Sequence, residues 1–75
     1  MTEITLAAIE NSFRIAWDYL AATGELGDPD TAANHLLDTI ETMVRRGERR
    51  QLLLANKAIA SYRHLRAEQG LSLAS

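Results

Sequence analysis

Seventy-five residues leave room for one hydrophobic core and no second lobe, so the chain reads as a single domain over 1–75. With 47% apolar and 24% charged residues it is too apolar for a disordered chain, and with no cysteine it can form neither disulfides nor thiolate-zinc sites. A domain this small must draw its stability from well-formed helices or from oligomerisation.

No apolar run approaches the roughly 18 residues of a membrane span. Met1-Thr2-Glu3 lacks the basic residues that open a secretory signal, so a cytoplasmic protein without a membrane partner is expected. The net charge of −2 conceals a polarised chain. Residues 1–44 hold eight acids against Arg14 alone, a charge of −7, whereas residues 45–75 hold seven bases against Glu48 and Glu68, a charge of +5. Folding the basic helix onto the acidic ones, or pairing with a second copy, would neutralise both halves.

Thr2 can cap a first helix over about 3–23, with Gly24 as the left-handed residue that ends it. This helix carries two apolar stripes. Leu6, Ile9, Phe13, Ala16, Trp17 and Leu20 follow a three-four spacing; Ile4, Ala8, Ile15, Tyr19 and Ala22 form a second stripe about 150° away. The polar remainder is narrow, and Arg14 is spaced to pair with Glu10 and Asp18. A helix apolar around most of its circumference is covered on more than one side. Either it sits as a wedge between its two partners, or the second stripe packs on another subunit or protein. Ile4, Ala8, Ile15, Tyr19 and Ala22 are the candidate interface.

Asp28 followed by Pro29 restarts the helix: the carboxylate accepts from first-turn amides, and proline stands where its missing donor costs nothing. Helix two is expected over about 29–46, its apolar residues Ala32, Ala33, Leu36, Leu37, Ile40, Met43 and Val44 lying within an arc of about 140°. A turn at Gly47 leads into helix three over about 48–69, with Leu52, Leu54, Ala55, Ala58, Ile59, Tyr62 and Leu65 on one face and Leu53 on the polar side. Gly70 marks its end, and 70–75 reads as a frayed tail. The resulting fold class is all-α, a small antiparallel three-helix bundle completed by dimerisation. The apolar stripes of helices two and three differ by only about 50° when run straight through Gly47. One fused helix of about 40 residues in a dimeric, coiled-coil-like bundle is therefore the alternative.

Chemistry-bearing patterns are sparse. His35 and His64 fall on polar faces without metal-ligand spacing, and both read as exposed. Asp28 and Asp30 are explained by capping and the helix dipole. No serine or threonine has a base and an orienting partner at recognisable spacing, and no phosphate-binding loop occurs, so neither an enzyme nor a cofactor is expected. Arg45, Arg46, Arg49 and Arg50 form a basic patch that could hold phosphates, as in a small nucleic-acid-binding or regulatory module. Net acidity and helices too long for a helix-turn-helix oppose that reading. A non-enzymatic interaction or structural protein that self-associates through helix one is the main expectation, its partner a second copy or another protein.

Overall fold

The computed structural model describes residues 2–74, with side chains described over 5–70. Helix α1 runs over Thr2–Ala22, α2 over Pro29–Arg45 and α3 over Gln51–Ala74. Each helix packs against both others, and no strand occurs among the described residues. The two short connections turn each helix back on its predecessor, giving an antiparallel bundle with α1 and α3 in the same direction.

Both connections are set by backbone geometry that the local sequence specifies. At the end of α1 the Gly24 amide donates to Ala21 O and the Glu25 amide to Leu20 O, the paired bonds of a Schellman cap. The same pair recurs at Gly47, whose amide donates to Val44 O while the Glu48 amide donates to Met43 O. Gly47 has φ of +100°, which breaks the chain between α2 and α3 and excludes the fused helix. Asp28 caps α2 as expected: its carboxylate accepts from the Thr31 amide at 2.9 Å and the Thr31 hydroxyl at 2.8 Å.

Helix α3 departs from expectation at both ends. It begins at Gln51 rather than Glu48, its first bond running from the Leu54 amide to Arg50 O. Residues 48–50 are held instead by the Glu48 carboxylate, which accepts from the amides of Arg49 and Arg50. At the other end the helix continues through Gly70 to Ala74. Gly70 does not take the positive φ that ends α1 and α2, and Leu71, Leu73 and Ala74 beyond it are good helix formers. Ser75, also placed in the expected tail, lies outside the described residues.

The core is built from Leu20 of α1, Leu36, Ile40 and Val44 of α2, and Leu54, Ile59 and Tyr62 of α3, with alanines between them. On α1 the buried line is Ala8, Ser12, Ala16 and Leu20, spaced by four residues and lying between the two predicted stripes. Small side chains on that line let the helix axes approach, and the large residues fall to either side. The Ser12 hydroxyl donates to Ala8 O at 2.6 Å, which satisfies it inside the core. Leu6 and Leu52, both expected on packing faces, stand 53% and 68% exposed, while Leu53, expected in solvent, is half-buried. Leu52 falls in the first turn of the shortened α3, where neither neighbouring helix covers it.

Candidate functional site

Helix α1 packs against both other helices, as each of them does, and still keeps apolar side chains at the surface. Of the candidate interface, Ala8 is in the core, Ile15 and Tyr19 are 36% and 44% exposed, and Ala22 is exposed. The side chain of Ile4 lies outside those described. The predicted second stripe is thus divided: one member packs inward, and three line the edge of α1 that faces α3.

That edge already has an intramolecular partner. The Arg63 guanidinium of α3 lies 5.2 Å from the Tyr19 ring centroid and donates to the Tyr19 hydroxyl at 3.0 Å. The same guanidinium forks onto Glu25, at 2.8 Å from Nε and 2.7 Å from Nη2. Arg63, with help from the Thr23 hydroxyl, holds the Glu25 carboxyl down at about 2. Arg66 donates to Glu25 O and Tyr62 to Leu26 O, so consecutive turns of α3 clasp the α1–α2 loop. Gly27 completes the clasp: a Cβ there would lie 3.1 Å from the Arg66 guanidinium carbon and 3.3 Å from the Tyr62 hydroxyl.

The opposite edge of α1, facing α2, is open. Phe13 and Trp17 are half-buried with ring centroids 5.6 Å apart, and they floor a groove that also includes Glu10, Asn11, Arg14, Asp18 and Ala33. Leu6 lies on the same side of the helix, seven residues before Phe13. Among the described residues no ion pair joins Arg14 to Glu10 or Asp18, although their spacing permits it. Neither carboxylate has an ion-pair partner among the described residues, and both are exposed at the rim. Phe13 and Trp17 pack against the core as the first stripe predicts; because Ala16 and Ser12 take the central positions, the rings also keep an open side in the groove, which the stripe pattern does not signal.

The basic patch is exposed but largely engaged. Arg45 sits 3.9 Å from Glu41, Arg49 donates to Val44 O at 2.7 Å, and Arg50 makes two hydrogen bonds to Glu48, at 3.0 and 3.1 Å. Arg50 is the main cause that lowers the Glu48 carboxyl to about 2. Arg46 and Arg49 have no ion-pair partner among the described residues, and Arg46 makes no side-chain hydrogen bond there either. Arg49 and Arg50 share a shallow depression with Leu52, the most exposed large apolar side chain described.

His35 corrects the sequence reading. It is half-buried, with Nε2 at 2.8 Å from the Ser61 hydroxyl and its ring 5.9 Å from that of Tyr62, so it ties α2 to α3. No carboxylate is hydrogen-bonded to the ring among the described residues, which leaves the pair without the orienting third group of a nucleophilic triad. His64 is exposed, as expected, and lies 3.3 Å from Glu68. Among the described residues no three His, Cys, Asp or Glu converge as a metal site requires, and no helix is long and apolar enough to cross a membrane. Compared with protein families, curated proteins and solved structures, the chain matches none.

Proposed function

We propose that this protein is a non-enzymatic interaction module that self-associates through α1, a homodimer being its smallest assembly. The observation that supports the reading is the surplus of exposed apolar surface on one helix: Leu6, Ile15 and Tyr19 remain one-third to one-half exposed although α1 packs against both other helices. Leu6 on the α2-facing edge and Ile15 and Tyr19 on the α3-facing edge leave apolar surface on both sides of the helix for a partner to cover. The alternative, a nucleic-acid-binding module using Arg45, Arg46, Arg49 and Arg50, has less support because the chain carries a net charge of −2 and Glu48 stands among the arginines.

Sedimentation equilibrium over micromolar to millimolar concentrations tests the proposal. The expected result is a mass that rises with concentration above the 8.3 kDa of one chain. A constant mass of one chain throughout that range would exclude self-association.

A further inference from the structure

Resting on self-association, we infer that the α1–α2 groove is the receiving surface, and that its occupant is the Leu52-bearing arginine turn of a second copy. Two edges of α1 compete for the role. The α3-facing edge has Arg63 stacked on Tyr19 and bonded to its hydroxyl, so part of its apolar surface is already covered. The α2-facing edge offers Phe13 and Trp17 at the floor of a groove, with Leu6 further along the helix.

Charge identifies the occupant. The groove carries Glu10 and Asp18 at its rim with Arg14 between them, a net charge of −1; neither carboxylate has an ion-pair partner among the described residues, and the groove belongs to the half of the chain with a charge of −7. An apolar knob carried by cations would fit it. The chain presents one: Leu52 is 68% exposed in a shallow depression shared with Arg49 and Arg50, at the start of the half with a charge of +5. Seating Leu52 on the Phe13–Trp17 pair brings Glu10 and Asp18 within reach of Arg49 and Arg50, which would exchange their bonds to Val44 O and the Glu48 carboxylate for these carboxylates, and Arg guanidinium also stacks well on aromatic faces. Groove and knob belong to different elements, so two copies exchange them reciprocally about a two-fold axis, or add head to tail where that closure fails.

Complementation between two variants tests this. Leu52→Asp removes the knob at an exposed position, and Glu10→Lys with Asp18→Lys reverses the rim at exposed positions; far-UV circular dichroism confirms that each stays helical. Each variant alone should associate at least about tenfold more weakly than wild type. An equimolar mixture should form a one-to-one heterodimer, because the intact groove of the first accepts the intact knob of the second. Ile15→Glu, on the other edge, should associate like wild type. If wild type is monomeric, the self-association reading fails and this inference with it. If wild type associates and Leu52→Asp associates equally well, or the mixture stays monomeric, the groove-and-knob assignment alone is overturned. Loss of association in Ile15→Glu would move the contact to the α3-facing edge.

Discussion

Glu25 concentrates more of the tertiary fold than any other loop residue, since its carboxylate receives the Arg63 fork and its carbonyl receives Arg66. A carboxyl whose acidity is strengthened on folding stabilises the native state fully above its unfolded pKa and loses that contribution as pH falls through the folded value. For Glu25 the window runs from 4.5 down through about 2, and Glu48 titrates in the same window on account of Arg50. Glu25→Gln should therefore lower the melting temperature at neutral pH and flatten the acid limb of stability against pH, converging on wild type near pH 2. Thermal melts followed by circular dichroism across that range measure it. An unchanged acid limb would show that the Glu25–Arg63 pair does not persist in solution. The clasp was out of reach of sequence reading, because its partners lie 38 and 41 positions apart and their pairing depends on how far α3 overlaps the loop. The same holds for His35, whose partner Ser61 is 26 positions away.

At the scale of elements, the sequence and the structure agree wherever a local interaction decides the outcome. Asp28-Pro29 starts α2 because one carboxylate and one ring act within a single turn, and Gly24 and Gly47 end helices because only glycine accepts their φ cheaply. The choice between a turn and a fused helix at Gly47 has a direct mutational test. Alanine at φ of +100° is strained, and Gly47→Ala should destabilise by roughly 1–2 kcal/mol. In a continuous helix the same change would stabilise by about 1 kcal/mol, so the sign of the shift in a urea titration decides it. On α1 the first stripe apart from Leu6 packs as predicted, Ala16 and Leu20 in the core and Ile9, Phe13 and Trp17 against it, but the buried line is shifted toward Ala8 and Ser12 for a reason of packing. Hydrophobicity ranks Leu6 and Phe13 above Ala16 and Ser12, but a helix held between two others puts its smallest residues at the closest approach. Ala16→Leu should accordingly cost about 1–3 kcal/mol by overpacking, whereas Leu6→Ala should leave stability within about 0.5 kcal/mol of wild type. Equal costs at both sites would return the large residues of α1 to the core.

For the whole molecule the unresolved quantity is charge. The acidic and basic halves can be neutralised by folding onto each other or by pairing with a second copy, and the only ion pair among the described residues that joins them over a long separation is Glu25–Arg63; Glu41–Arg45, Glu48–Arg50 and His64–Glu68 are local. Glu10 and Asp18 on α1 are left facing solvent while Arg46 stands exposed at the turn before α3. A molecule that keeps its charges separated after folding retains a driving force for meeting its own opposite surface in another copy. Salt discriminates this from plain apolar association. Raising ionic strength from 0.1 to 1 M shortens the screening length from about 10 to about 3 Å, which weakens contacts between exposed charges while leaving apolar burial intact or strengthened. Self-association measured by sedimentation equilibrium should weaken across that range, and neutralising Arg49 and Arg50 to glutamine should remove most of the dependence. Association that holds or tightens at 1 M salt would instead place the energy in the apolar side chains of α1 alone, with the arginine turn a bystander.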